Sequence, residues 1–204
     1  MKGMIKDALI LFAITLVAGL LLGVVNEVTK EPIAMAKEKA KQEAYHEVFA
    51  DAATFEQIAE LDTETFMTSV SEAGISGVDV DEVMCAKDEG GTLLGYVITV
   101  TDHEGYGGDI QFSMGVTLDG TLNGISLLSI SETAGLGMEA GSVLVPQFTN
   151  KQVSSFTYTK TGAVDDSQID AISGATITTK AIVNGVNAGL IYYHEILEGG
   201  NANE

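Results

Sequence analysis

The hydrophobic positions of this chain fall into successive patterns, and the first is a long apolar run. Residues 8–25, "ALILFAITLVAGLLLGVV", contain no charged side chain. A helix of this length nearly spans the hydrocarbon core of a bilayer, which is about 30 Å thick. A cleaved signal peptide is the alternative, because Ala34-Met35-Ala36 resembles a cleavage site. Signal peptides, however, carry shorter apolar segments of about 7–15 residues. We therefore predict an uncleaved signal anchor.

A helical pattern follows the apolar run. Apolar residues spaced four apart predict a helix that begins near Pro32 and continues as a stalk through Ala36, Ala40, Ala44 and Val48. Proline is a favourable residue in the first turn of a helix. The stalk would lead from the membrane into a folded domain.

The middle of the chain has the alternation that is typical of β-strands. Two strands are expected around Gly90-Gly91, in "EVMCAKDEGGTLLGYVITVT". Residues 110–118 alternate apolar and polar side chains, and Asp119-Gly120 predicts a hairpin to the partner strand "LNGISLLSI". Strands joined by hairpins form antiparallel sheets, so we predict an α+β fold with an antiparallel sheet flanked by helices. The last element is a long amphipathic helix whose apolar face comprises Ile177, Ala181, Ile182, Val186, Leu190, Tyr193 and Leu197.

These patterns divide the chain into four parts. Residues 1–25 are expected to form a cytoplasmic tip and a transmembrane anchor, and residues 26–75 a juxtamembrane helical stalk. Residues 76–198 would be the folded domain, and residues 199–204 a disordered tail.

The charge and the cysteine content exclude several classes of function. The net charge is −19; residues 1–41 carry about +2 and residues 42–204 about −21, and every basic residue is a lysine. Such an acidic body repels phosphate backbones, so we predict no nucleic-acid binding. Cys85 is the single cysteine, which excludes an internal disulfide and cysteine-ligated iron–sulfur clusters. The three histidines have no metal-ligand spacing, so we predict no metal site; a redox carrier here would be organic.

Two segments could carry chemistry. The first, "SETAGLGMEAG" at 131–141, fits the dinucleotide pattern G-x-G-x-x-A. The following "GSVLVPQF" does not have a helical pattern, and no acidic residue ends a strand about 20 positions later, so a dinucleotide site is disfavoured. A glycine-rich loop can still let the backbone approach a flat ligand. An ordinary connecting loop is the alternative.

The second segment is "DAISGATITTK" at 170–180, which crowds small and hydroxyl-bearing residues at the start of the last helix. Ser173 could be the N-cap. Free backbone N–H groups at residues 174–176 and the helix dipole would then form an anion site, with the Thr176 hydroxyl where a phosphate would lie. From these residues alone, a simple helix cap remains the alternative.

A family resemblance favours the anion site. Asp170, Ser173, Gly174, Ala175 and Thr176 form D-x-x-S-G-A-T, which resembles the flavinylation motif of the FMN-binding domain family. That family includes the G subunit of the Rnf complex and the C subunit of the sodium-translocating NADH:quinone reductase. In it, a flavin transferase recognises the motif and joins FMN through its phosphate to the final threonine. Residues 105–137 are similar to the family's strand–hairpin–ETPGLG segment, with Ala134 in place of the proline.

The resemblance implies a cofactor site made from both segments. FMN would be attached to Thr176, and the other cofactor-binding residues would be Ser173, Gly174, Ala175, Thr178, Thr179, Glu132, Thr133, Gly135, Leu136 and Gly137. Glu132 and Thr133 would lie against the isoalloxazine ring and Leu136 would pack on it. The charge of Glu132 would oppose reduction of the flavin. Capping or packing is the alternative role for the hydroxyls of Thr178 and Thr179.

The resemblance also implies a function. The chain would be a membrane-anchored electron carrier with covalent FMN, working with the integral-membrane and iron–sulfur subunits of an Rnf complex. Such a complex transfers electrons between reduced ferredoxin and NAD⁺ and pumps ions; this chain alone would have no catalytic residue and complete no reaction. The alternatives are the C subunit of a quinone reductase, which the compact chain disfavours, an extracytoplasmic flavin sensor, and a non-redox domain in which the motif is only a helix cap.

The anchor predicts which side of the membrane the acidic body occupies. A short N-terminus stays in the cytoplasm, and long domains translocate largely regardless of their charge. A reporter that is active only in the cytoplasm, fused after Glu204, is therefore expected to be silent. Strong reporter activity would reverse this topology.

Overall fold

The computed structural model describes residues 2–198, without the side chain of Lys2, and divides the chain into two compact units, one ending at Ala40 and one starting at Lys41. The predicted tail, 199–204, lies outside the described residues. The elements are α1 (Lys2–Val48), β1 (Thr54–Gln57), α2 (Thr63–Glu72), β2 (Val78–Lys87), β3 (Leu93–Asp102), β4 (Ile110–Thr117), β5 (Leu122–Ser129), α3 (Ala140–Val143), β6 (Thr157–Thr159), β7 (Gln168–Asp170) and α4 (Thr176–Tyr192). Two 3₁₀ helices (Gly137–Glu139 and Val145–Phe148) flank α3, and a π-helix (Tyr193–Glu198) follows α4.

The N-terminal unit is helical throughout its described length. By length and composition, helix α1 is long and apolar enough to cross a membrane. None of its most apolar 18-residue segment is buried in the described structure. The stalk was expected to begin as a separate helix near Pro32, and this is wrong, because Pro32 lies inside α1. A proline removes one backbone hydrogen bond, and the helix around it keeps its remaining bonds.

The second unit is built on one antiparallel sheet of five strands in the order β1-β2-β3-β4-β5. The predicted strand pair around Gly90-Gly91 and the hairpin at Asp119-Gly120 are confirmed, since β3 pairs with β2 and β5 with β4. The α+β prediction is therefore confirmed. Strand β1 lies within the segment predicted as a helical stalk; its four residues are mostly exposed and have no apolar alternation.

One face of the sheet packs against α4. Phe112, Met114 and Val116 of β4 are fully buried on this face. A Cβ atom added to Gly185 would lie 2.9 Å from the Phe112 ring, and one added to Gly189 would lie 2.1 Å from the Met114 sulfur. These two glycines are four residues apart and so share one helix face. They let α4 lie close to the buried side chains of β4.

The opposite face of the sheet receives the C-terminal end of α1. A Cβ atom on Gly115 would lie 2.9 Å from Val48, and one on Gly95 would lie 2.7 Å from the Phe49 ring. Val48 and Phe49 belong to a second buried cluster with Tyr45 and neighbouring sheet residues. The end of α1, from Lys41 onward, therefore belongs to the unit that contains the sheet. The predicted division of the chain at residues 25 and 75 stays a prediction.

Two further expectations are corrected. The segment "GSVLVPQF" contains the end of α3 and a 3₁₀ helix, although it lacks a helical pattern. Elements of four residues are too short to show a period, and the buried Leu144 and Phe148 hold this segment in place. Ile177, assigned to the apolar core face of the last helix, is 51% exposed.

Candidate functional site

The two segments selected from the sequence meet at one cavity of about 410 Å³. This size is within the range of small-molecule sites. The loop that follows β5 forms one part of the wall, and the first turn of α4 forms another. The lining residues are Tyr106, Glu132, Thr133, Leu136, Gly137, Gly174, Ala175, Thr176, Ile177 and Thr178.

The start of α4 is shaped by a turn, not by a serine cap. The prediction that Ser173 is the N-cap is wrong: the N-cap position is Ala175, and no side chain caps it. Gly174 has a φ of +80°, and the Ala175 N–H donates to the carbonyl oxygen of Ile172 at 3.0 Å. The positive φ turns the chain before the helix begins, so Ser173 lies too early in the chain to cap it. Glycine adopts this backbone conformation without steric cost.

Thr179 holds this turn from inside. Its Oγ1 donates to the Ala175 carbonyl at 2.9 Å and accepts the Ile172 N–H at 3.2 Å, and its side chain is fully buried. Thr179 is not among the residues that line the cavity. Its contacts fit packing, one of the alternative roles that the sequence left open.

Glu132 joins three segments beneath the cavity. Its side chain is buried, and its Oε1 accepts the Gly107 N–H at 3.2 Å. A Cβ atom added to Gly137 would lie 2.7 Å from Glu132 Cβ and 2.6 Å from Thr178 Oγ1. Glu132, which belongs to the loop after β5, therefore contacts the loop after β3 and lies close to α4.

The remaining predicted site residues lie at the edge of the cavity or outside it. Gly135 is not among the lining residues. Ser173 lines a smaller adjoining cavity of about 140 Å³, together with Lys160 and Thr176. Asp170 accepts the Ala163 N–H at 2.7 Å and so fixes the loop before the motif. Asp170, Ser173 and Gly174 are exposed, and Thr176 is half-buried.

The geometry fits FMN. A helix that begins at Thr176 leaves the N–H groups of its first turn without intrahelical acceptors, and no side chain caps this end. Such an end suits a phosphate. Beside it, the exposed parts of Leu136 and Ile177 offer apolar surface to a flat ring. The cavity thus places an anion site next to an apolar slot.

The sequence did not single out Tyr106 or the outward position of Ile177. Tyr106 is 69% exposed and lines the cavity. It is an aromatic residue between two glycines shortly after a strand, and this pattern could have marked it. The position of Ile177 follows from where the helix starts, which periodicity does not determine.

A buried carboxyl group lies at the base of the Tyr106 loop. Asp102 is fully buried; its Oδ1 accepts the Glu104 N–H at 2.7 Å, and its Oδ2 has no hydrogen-bond partner among the described residues. Burial raises the pKa of Asp102 from 3.8 to about 6, and the nearby charge of Glu104 adds to this rise. Glu104 itself accepts from Ser76 at 2.8 Å and from Lys180 at 3.2 Å.

Comparisons with known proteins agree with this site. The FMN-binding domain family matches residues 105–191, and the family of RnfG N-terminal regions matches residues 1–48. The G subunit of the Na⁺-translocating ferredoxin:NAD⁺ oxidoreductase complex of Acetobacterium woodii is 33% identical over 198 residues, which cover 96% of this chain and 94% of that relative. The chain belongs to the family of these G subunits.

Other relatives extend the family and the fold. The G subunit of an ion-translocating oxidoreductase complex of Methanosarcina acetivorans is 29% identical over 196 residues, covering 94% of this chain and 95% of that relative. The crystal structure of the C subunit of the Na⁺-translocating NADH-quinone reductase of Parabacteroides distasonis has a TM-score of 0.51 and 22% identity, covering 74% of this chain and 80% of that one. This likeness shows a shared fold. Both halves of the cavity lie within the FMN-binding match.

The pKa of Asp102 predicts a pH-dependent stability. Between about pH 4 and pH 6 the folded chain keeps a proton that the unfolded chain releases, so the free energy of unfolding falls as the pH rises through this window. Asp102→Asn cannot titrate. Its free energy of unfolding relative to the parent is expected to rise by on the order of 2–3 kcal/mol between pH 4 and pH 7.

Denaturant unfolding of the full chain in detergent at several pH values measures this difference. Asp51→Asn, which makes the same change at an exposed position, is the matched control. A difference for Asp102→Asn that does not change with pH would contradict the expectation.

Proposed function

We propose that this chain is the membrane-anchored FMN carrier of an ion-translocating ferredoxin:NAD⁺ oxidoreductase complex, with FMN joined to Thr176 by a phosphodiester bond. The observation that carries the proposal is the single cavity in which the "SETAGLG" loop and the "SGAT" turn meet. Bound FMN would supply the redox chemistry, since it accepts electrons singly or in pairs. The name of the Acetobacterium woodii relative supplies the reaction.

The first turn of α4 has the chemistry that a phosphate link needs. Thr176 is half-buried, lines the cavity and is the first residue of the helix. The N–H groups of this turn and the helix dipole stabilise a negative charge there. Gly174 and Ala175 present no bulky side chain that would screen the hydroxyl.

The motif is placed where a second protein can reach it. Asp170, Ser173 and Gly174 are exposed, and the Asp170 side chain, at the end of β7, accepts the Ala163 N–H. A flavin transferase would therefore meet a preformed surface. The predicted recognition residues Asp170, Ser173, Gly174, Ala175 and Thr176 lie within one short segment.

The carrier would transfer electrons within a membrane complex. In this proposal α1 anchors the chain by a single span, and the acidic body lies on the extracytoplasmic side. Its partners are the integral-membrane and iron–sulfur subunits of the complex. The span carries no charged residue between positions 8 and 25 that could line an ion path, so other subunits move the ions.

The attachment site predicts the result of one substitution. Thr176→Val removes the hydroxyl and keeps the shape of the side chain, so the full chain produced with a flavin transferase is expected to lose all covalent flavin. Flavin fluorescence of the denatured protein in a gel and the intact mass measure this loss. Thr178→Val is the matched control, because Thr178 lines the same cavity two residues later, and it should keep the label. Flavin retained on Thr176→Val would place the link elsewhere.

The charge of Glu132 predicts a shift in potential. A unit charge about 5 Å from a group is worth roughly 3 kcal/mol at an effective dielectric constant near 20, and solvent and salt reduce this severalfold. Glu132→Gln is therefore expected to keep full covalent flavin and to raise its midpoint potential by a few tens of millivolts, since about 59 mV is a tenfold change for one electron. The higher potential follows because Glu132 opposes the negative charge that reduction adds.

A redox titration of the full chain in detergent measures this shift. Glu139→Gln is the control, because it removes the same charge from an exposed position outside the cavity lining. Equal potentials for Glu132→Gln and the parent, with normal flavin content, would show that the Glu132 charge does not act on the ring.

A further inference from the structure

Tyr106 is the aromatic side chain among the residues that line the cavity. It is 69% exposed, so most of its ring surface is not used in packing the fold. The other apolar side chains exposed in the lining, Leu136 and Ile177, are aliphatic. The cavity therefore has one available ring face next to aliphatic surface.

The backbone around Tyr106 is held on both sides. A Cβ atom added to Gly105 would lie 2.2 Å from the Gly108 carbonyl oxygen, and one added to Gly107 would lie 2.1 Å from the Ser131 carbonyl oxygen. Neither position has room for a side chain. The chain at residues 105–108 is folded tightly on itself and against the loop that follows β5.

Hydrogen bonds fix the same segment at two points. The Gly107 N–H donates to Glu132 Oε1 at 3.2 Å. The Glu104 N–H donates to Asp102 Oδ1 at 2.7 Å, and the Glu104 carboxylate accepts the Ser76 hydroxyl at 2.8 Å. Tyr106 lies between these two fixed points, so its exposed ring projects from a constrained backbone. An exposed aromatic ring on a rigid loop beside a cavity is suited to stacking on a flat ligand.

We propose that Tyr106 is a binding residue that stacks on the isoalloxazine ring, and that the contact between Glu132 and Gly107 positions it there. The inference rests on the proposed function, because it needs FMN in the cavity. Stacked aromatic pairs prefer offset or edge-to-face arrangements over a direct sandwich. Tyr106 would thus cover part of the ring that the aliphatic residues leave open, while the covalent link at Thr176 holds the phosphate end.

The test uses the full chain in detergent, produced with a flavin transferase, and begins with its flavin content. Tyr106→Leu, Tyr106→Phe and the parent are expected to carry equal covalent flavin. Tyr158→Leu is the matched control, because Tyr158 is also an exposed tyrosine and does not line the cavity. Absence of flavin from the parent itself would overturn the proposed function and this inference with it.

Two optical measurements then test the contact: the fluorescence of the bound flavin reports the phenol, and its accessibility to acrylamide reports coverage by the ring. A phenol ring in contact with a flavin quenches flavin fluorescence, so Tyr106→Leu should raise the fluorescence of the folded protein severalfold at equal flavin content. Its quenching by neutral acrylamide should also become severalfold more efficient. Tyr106→Phe keeps a ring but not a phenol, so the fluorescence should rise while the protection from acrylamide stays near that of the parent. Tyr158→Leu should leave both values unchanged.

The positioning role of Glu132 has its own comparison. Glu132→Ala removes the acceptor of the Gly107 N–H and should raise acrylamide accessibility as Tyr106→Leu does. Glu132→Gln keeps an acceptor oxygen and should restore protection toward the parent value. If flavin is attached at Thr176 and Tyr106→Leu changes neither fluorescence nor accessibility, the inference about Tyr106 is wrong while the proposed function stands. If Glu132→Gln fails to restore protection, Glu132 does not position Tyr106.

Discussion

The side chain of Glu132 is buried where three segments of the chain meet, and the cavity exists because they meet there. Its carboxylate accepts the Gly107 N–H, and it packs against Gly137 and beside Thr178. A buried carboxylate is costly unless it is hydrogen-bonded, so the loop after β3 cannot leave Glu132 without a free-energy penalty. The close approach also requires glycine at 105, 107 and 137, where a Cβ atom would overlap neighbouring atoms. Of the two glycines that suggested a dinucleotide motif, Gly137 therefore serves to bring the loop and α4 together.

The sheet behind the site is covered on both faces through glycine contacts. Gly185 and Gly189 let α4 lie on β4, and Gly95 and Gly115 let Val48 and Phe49 lie on the opposite face. At each of these positions an atom of the neighbouring element occupies the space that a Cβ would need, which leaves little freedom for the helix to slide. Since the first turn of α4 carries Thr176, the position of that hydroxyl is determined by packing along the whole helix. The site is thus supported by regular elements, although most of its lining residues belong to loops.

The sequence predicted the elements in which apolar residues recur at a regular spacing. The alternation in 110–118 predicted β4 with Phe112, Met114 and Val116 buried, and Asp119-Gly120 predicted the hairpin. The motifs also named Thr176, Glu132 and Leu136, which the structure brings to one cavity. What could not be predicted depends on the path of the backbone. By residue type, the helix could start after Ser173 or at Thr176. The positive φ of Gly174 in the structure shows that it begins at Thr176. The loop of Tyr106 is held by long-range contacts of Gly105 and Gly107 with Glu132, which no local periodicity predicts.

In the proposed function, the uncapped start of α4 would link flavin attachment to the stability of the fold. Ala175 occupies the N-cap position and has no side-chain oxygen to offer, so the polypeptide alone forgoes the roughly 1 kcal/mol that a serine or aspartate would contribute there. A phosphate ester on Thr176 would bring oxygen acceptors and negative charge to that end of the helix. The group added by the transferase would then complete the fold as well as equip it for redox chemistry. Chains before and after attachment would then differ in how firmly the first turn of this helix is closed.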